Sequence, residues 1–231
     1  RWQLFSIQQQ PCLHDVPISL IQDNAIRALL DACSQDVALS AKLLELADDC
    51  LHGQYKVFDI CLPALQSMQW QKDYKTGVEW PKQFYRSYSF YQHSPGPDVK
   101  YVWEPARLAP CLHCLMGYLL SGQGVYLDAC SASIQSWSDD NPFAYSVHWN
   151  SMECSIRAIN LLLIHDLLCH CQKIWHANCL SALRLVRALL LQHATFVWLN
   201  REYTDNCGNH YFANVVCLLL VGATFSASYR P

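Results

Sequence analysis

The chain has no excess of positive charge. Its 16 lysines and arginines are outnumbered by 19 acidic residues, giving a formal net charge of −3 with histidine neutral. That excludes a general basic field of the kind that gathers nucleic acid or a polyanion. Any acidic ligand must therefore be held by local Arg or Lys groups. No apolar run reaches the roughly 20 residues that span a bilayer, so membrane insertion is not expected. The polar opening Arg1-Trp2-Gln3 does not read as a signal peptide. No convincing sequence repeat appears, which argues against a superhelix of identical units. Apolar residues, by contrast, are plentiful: 52% of the 231 residues are hydrophobic, enough to bury a substantial core.

Cysteine is abundant too, at an odd count of 13. In a small secreted domain this would suggest a disulfide framework. Here most of the cysteines sit in apolar helical text, as in Leu29-Leu30-Asp31-Ala32-Cys33 and Val216-Cys217-Leu218. Cysteine in such places behaves as a small hydrophobe, and reduced thiols are the favoured reading. Cys111-Leu112-His113-Cys114 and Cys169-His170-Cys171, with His176 and Cys179 nearby, tempt a zinc assignment. Structural zinc needs ligands on converging turns, whereas these residues fall inside helices. Core packing is preferred, and neither a metal nor a cofactor is expected.

Helix signals dominate, so the fold class is read as all-α. Residues 18–33 and 36–51 carry apolar positions at three- and four-residue spacing, with Gly53 closing the second run. Residues 1–53 thus read as an N-terminal helical hairpin. An irregular excursion follows over about 54–98, opening on the strand-like Tyr55-Lys56-Val57-Phe58. Its Trp70, Tyr74, Trp80, Phe84 and Tyr85 are too many aromatics for a flexible linker. The spacing then predicts helices over 105–120, 125–138, 150–169, about 177–199 and about 209–224. Short polar connections between long helices make them antiparallel neighbours. Residues 54–231 therefore read as stacked helical hairpins in a curved, toroid-like array.

Three constellations carry candidate chemistry. Trp103-Glu104-Pro105-Ala106-Arg107 enters a helix, with Glu and Pro suited to its first turn. Trp103 and Arg107 either face a sugar-binding groove or form a cap and a buried ion pair. In His148-Trp149-Asn150-Ser151-Met152-Glu153-Cys154-Ser155-Ile156-Arg157, residues 149, 153 and 157 share one helical face. Trp149, Asn150, Glu153 and Arg157 would there stack on a pyranose, orient hydroxyls and bind a carboxylate. The duller alternative is a salt bridge holding two helices together. Finally, Asn209-His210 stands at the mouth of the last helix. An amide can partly neutralise a carboxylate while the neighbouring imidazole takes a proton near neutral pH. Those are needs of an enzyme that removes the proton alpha to a uronic acid carboxylate and then eliminates the glycosidic oxygen. Otherwise Asn209 merely caps the helix.

These segments, in order, resemble the N-terminal helical domain of the heparinase II/III family of polysaccharide lyases. The matching text is Trp70-Gln71-Lys72-Asp73, Thr76-Gly77-Val78-Glu79-Trp80-Pro81 and Asp98-Val99-Lys100-Tyr101-Val102-Trp103-Glu104 with Arg107. It continues through Asn141-Pro142, Val147-His148-Trp149-Asn150-Ser151-Met152-Glu153 with Arg157, and Gly208-Asn209-His210 leading to Ala213-Asn214. The resemblance implies an incomplete α/α toroid followed by a β-sandwich domain that this chain does not include. It also implies β-elimination at a uronic acid of an acidic polysaccharide. Asn209 would neutralise the carboxylate and His210 would transfer a proton or bind substrate. The family's acid/base tyrosine follows the Asn-His pair by some tens of residues, beyond Pro231. A non-catalytic module for acidic glycans and a helical protein-interaction scaffold are the alternatives.

Overall fold

Capping chemistry sets where the helices begin and end. The computed structural model describes residues 19–90, 96–175, 179–203 and 207–225. Helix α1 (Asp23–Gln35) starts later than the apolar spacing suggests, since residues 19–22 are not helical. Helix α2 (Val37–His52) is capped by Asp36, whose carboxylate accepts the Leu39 N–H at 2.9 Å. Gly53 stops it in the left-handed conformation, φ 75°, as its position in the sequence predicts.

The excursion is ordered around a hairpin of β1 (Lys56–Val57) and β2 (Ile60–Cys61), paired antiparallel. Its organiser is Asp73, a fully buried carboxylate that accepts the N–H groups of Lys75, Thr76 and Asp98. Those three bonds compensate the desolvation of the charge. Trp70 enters the main core, whereas Trp80 forms a satellite cluster with Val102 and Val147.

One expected helix, over 105–120, is two elements. After α3 (Lys100–Trp103) a short 3-10 turn covers Pro105–Arg107, and Leu108 then takes φ 63° before α4 (Ala109–Ser121) begins. The break puts Pro110 in the first turn of α4, where its missing N–H costs nothing. Four longer helices follow: α5 (Gly124–Asp140), α6 (Ser151–Trp175), α7 (Leu180–Leu199) and α8 (Asn209–Phe225). The fold is all-α. The start foreseen at 177 for α7 lies outside the described residues.

Helix α6 is the hub, packed against α4, α7 and α8, while α4 also packs against α2 and α5. Ile26, Ala47, Cys50 and Leu51 join the same hydrophobic cluster as the later helices, so α1 and α2 share one core with them. By length and composition residues 151–173 and helix α7 could each cross a membrane, contrary to the sequence expectation that no stretch qualifies. In α6, however, 78% of the apolar window is buried inside the fold. Packing between helices accounts for its composition.

A guanidinium lies at the centre of this core. Arg157 on α6 is fully buried, and burial opposes its charge. Its Nε donates to the Ala106 carbonyl at 2.6 Å, and both terminal nitrogens donate to the His148 carbonyl. The plane stacks on Trp137, 4.3 Å from the ring centroid. Nη1 also lies 3.1 Å from His193 Nε2. That nitrogen must accept, so the proton of His193 is on Nδ1, where it is donated to the Leu189 carbonyl. His148 likewise donates from Nε2 to the Trp70 carbonyl. Both rings are therefore neutral. Burial and the Arg157 charge depress each to about 3.

Acid should destabilise this protein well before its carboxylates titrate. In the unfolded chain His148 and His193 take up protons below about pH 6.5, whereas in the fold they do so only near pH 3. Their stabilisation is complete above pH 6.5 and is lost as pH falls. At pH 5 the loss is about 2 kcal/mol for each ring by linkage. His165, held above its usual range, offsets part of this. Thermal melts should show a lower melting temperature at pH 5 than at pH 7, with a shallower slope in His193→Gln. A melting temperature unchanged or higher at pH 5 would contradict neutral buried rings.

Candidate functional site

The mouth of α8 gathers the groups with the most chemistry to offer. Asn209 and His210 are its first two residues, both exposed, as the sequence predicts. A helix N-terminus carries positive potential and unpaired N–H groups, which suit a carboxylate. His210 Nδ1 lies 3.0 Å from Glu202 Oε1. A carboxylate can only accept, so Nδ1 carries a proton, and in the neutral ring the lone pair is on Nε2. The imidazole is thereby oriented as a base. The second Glu202 oxygen, Oε2, is buried and has no partner among the described residues.

The strand of chain bearing Glu202 is fastened to the hub helix. The Glu202 N–H donates to Asn214 Oδ1 at 2.9 Å, and Asn214 Nδ2 donates to Ser155 Oγ at 3.1 Å. Ser155 Oγ in turn donates to the Ser151 carbonyl within α6. Nearby, Ser151 Oγ donates to the Asn200 carbonyl, and Tyr85 donates to the Asn200 side chain at 2.6 Å. The start of α6, the end of α7 and the start of α8 are thus tied at one end of the helical array.

A cavity of about 430 Å³ at this end of the array is lined by Trp198, Leu199, Arg201, Tyr203 and Tyr211, sequence neighbours of Glu202 and His210, although neither of these nor Asn209 lines it. The Arg201 guanidinium lies over the Trp198 ring at 4.1 Å, and Tyr203 and Tyr211 meet edge to face at 5.4 Å. A cation, exposed aromatic faces and an oriented imidazole can hold an anionic sugar ring and move a proton from it. Sequence reasoning missed Trp198, Arg201 and Glu202. Arg201 and Glu202 stand in Asn200-Arg201-Glu202-Tyr203, just ahead of the pair, but the contact of Glu202 with His210 exists only in the folded chain. A larger cleft of about 570 Å³ is lined by Lys72, Glu79, Lys82, Asp139, Asp140 and others. It contains none of the predicted residues, and its Lys82 and Asp140 pair with each other.

The remaining predicted residues serve elsewhere. Only Glu153 and Arg157 share a face of α6, since Trp149 precedes the helix, and all three side chains are buried, with Trp149, Glu153 and Arg157 exposed by 2%, 2% and 0%. This corrects the expectation of an open sugar-binding face. Trp149 packs among Trp137, Phe143, His193 and Phe196. Glu153 takes a two-pronged bond from Arg107, Nε to Oε2 at 2.9 Å and Nη2 to Oε1 at 3.0 Å, and Glu104 adds a second ion pair to Arg107. Asn150 caps α6, its Oδ1 accepting the Met152 N–H at 3.1 Å. Half-buried Trp103 donates to the Val147 carbonyl. For Arg107 the duller alternative, an ion pair, describes the contacts that are made, whereas no Glu153–Arg157 bridge forms: Glu153 binds Arg107 and Arg157 binds backbone carbonyls. Among the described residues no group of three or more His, Cys, Asp or Glu side chains is placed to hold a metal ion.

No family model matches the chain, and no curated protein or solved structure matches it either.

Glu153→Ala should act on stability rather than on ligand binding. It leaves a partly buried Arg107 with Glu104 as its only carboxylate, a loss of about 2 kcal/mol from the charge-assisted hydrogen bonds removed. Denaturant titration measures it; a change below about 0.5 kcal/mol would place the pair among ordinary surface ion pairs.

Proposed function

We propose that this chain is the substrate-holding helical domain, shaped as an incomplete α/α toroid, of a heparinase II/III-like lyase. It acts on a uronic-acid-containing polysaccharide by β-elimination, at the mouth of α8. The observation that carries the reading is the Glu202–His210 contact, which leaves Nε2 as a base immediately beside Asn209 on the first turn of a helix. The ordered resemblance of the surrounding motifs supports it.

The roles follow from what elimination requires. The proton on C5 of a uronate becomes removable when the carboxylate next to it is neutralised, since the carbanion formed there spreads onto those oxygens. The Asn209 amide, the helix N-terminus and the Arg201 guanidinium supply that neutralisation. His210 Nε2 receives the proton. Trp198, Tyr203 and Tyr211 hold the sugar faces. The oxygen that leaves needs an acid, which the resemblance assigns to a downstream tyrosine. Turnover is therefore expected of a protein in which that segment and the β-sandwich accompany this chain.

In such a protein Asn209→Ala should cut elimination by about a hundredfold, the usual consequence of removing one donor that stabilises a developing oxyanion. Stability should fall by no more than about 1 kcal/mol, the cost of a lost helix cap. Ultraviolet absorbance of unsaturated uronic products reads the first quantity and thermal melts the second. A variant that melts earlier yet eliminates at near-normal rate would reduce Asn209 to a cap. Oligouronate binding with no unsaturated product would favour a non-catalytic glycan module, and absence of binding an interaction scaffold.

A further inference from the structure

Where α6 and α8 begin and α7 ends, two arginines are held in a similar way, and only one of them belongs to the site described above. Arg201 lies over the Trp198 ring at 4.1 Å. Arg86, in the 3-10 turn Tyr85–Ser87, lies 5.4 Å from the centre of the Tyr85 ring, and its Nε donates to the Tyr85 hydroxyl at 2.8 Å. That hydroxyl donates onward to Asn200 Oδ1 at 2.6 Å. The Asn200 amide is itself fixed, since its Nδ2 donates to the Phe196 carbonyl at 2.9 Å. Asn200 immediately precedes Arg201, so two hydrogen bonds join the exposed Arg86 to the segment whose cation lines the cavity of about 430 Å³. Neither guanidinium has a carboxylate partner among the described residues, and the terminal nitrogens of Arg86 bond to none of them.

We propose that Arg86 anchors a second subsite for an acidic sugar, so that the ligand is a chain with recurring carboxylates bound across Arg201 and Arg86 together. This rests on the lyase reading above and adds to it a place for a further unit of the polysaccharide. The terminal N–H groups of a guanidinium lie in one plane and match the two oxygens of a carboxylate. A surface arginine ordinarily loses side-chain freedom when it binds. Arg86 is already restrained by the ring and the hydroxyl, so less is lost.

Apolar faces stand beside it. Phe84 is 45% exposed with its ring 4.7 Å from that of Tyr85. Phe143 is 43% exposed and shares the buried Phe196 with Tyr85, at 6.1 and 4.8 Å. Large aromatics left in water beside an unpaired cation suit a pyranose chain, whose ring faces are apolar and whose acid groups project from them. The net charge of −3 supplies no basic field for a nucleic acid, which favours the glycan among polyanions.

Calorimetric titration of the full chain with uronate disaccharides and hexasaccharides, prepared from alginate and from heparan sulfate, tests the second subsite. The hexasaccharide should bind more tightly than the disaccharide. Arg86→Gln, at an exposed position, should weaken the hexasaccharide about tenfold, the scale of one charge-assisted hydrogen-bonded pair, and the disaccharide by less than about twofold. Tyr85→Phe keeps the ring and removes only the hydroxyl that holds Arg86. It should lower hexasaccharide affinity about threefold and spare the disaccharide, with melting curves confirming the fold. A folded Arg86→Gln protein that binds the hexasaccharide like the parent would overturn the second subsite and leave the first standing. So would an equal loss on both lengths, which would place Arg86 in the first. A parent protein that binds neither length would contradict the lyase reading itself, and this subsite with it. A single-stranded oligonucleotide bound as tightly as the hexasaccharide would make the arginines general anion contacts and overturn the assignment to a glycan.

Discussion

Everything in this array is arranged around the need to bury one guanidinium. Withdrawing Arg157 from water costs several kcal/mol, and no carboxylate bonds to it directly, because Glu153 is committed to Arg107. Backbone carbonyls compensate instead. The acceptors at Ala106 and His148 come from the two irregular stretches that precede α4 and α6. A helical residue has its carbonyl occupied four residues on, so only breaks in the helices could present free acceptors here. The left-handed Leu108 and the non-helical 141–150 segment are consequences of the same requirement. The neutral state of His193 is another, since a protonated ring would set a donor and a second positive charge against Nη1.

That arrangement explains which parts of the structure were legible in the sequence. Helix type and the places of the long helices followed from apolar spacing, and the ends at Asp36 and Gly53 from capping chemistry, because both are local; the short α3 did not. The break at Leu108 was not legible. Leucine has no preference for positive φ, and the conformation is imposed by its full burial and by the carbonyls the guanidinium takes. The same holds for Trp149, Glu153 and Arg157. Four-residue spacing reports that Glu153 and Arg157 share a face of α6, but not that the helix starts after Trp149, and the direction of that face depends on α7 and α8, which arrive later in the chain. A charged face on a helix is usually solvated. Here it points inward, and the pairs that make it tolerable come from residues about fifty positions earlier.

The candidate site shows the opposite pattern. Asn209 and His210 were found because an amide and an imidazole at a helix start are a local signal. Glu202 and Arg201 were not, since Glu202 meets His210 only in the folded chain. The site also differs from the core in how it is held. Asn214, Cys217, Val221 and Thr224 bury one stripe of α8, while Phe212 and Leu219 on the other side remain largely exposed.

That asymmetry bears on the chemistry. A helix fastened along one stripe has fewer contacts resisting local opening than α6, which is covered on several sides. Its first turn is where fraying is easiest, and it is also where Asn209 and His210 stand. The chain from Glu202 through Asn214 to Ser155 counters this by tying the mouth of α8 to the best-buried helix through three hydrogen bonds that begin at the dyad itself. Position and tautomer of the imidazole are therefore set by the same contact. Loss of the Glu202 carboxylate would free the ring to rotate while the Glu202 N–H still bound Asn214, so the orientation of the base rests on the side chain and the order of the helix start on the backbone of one residue.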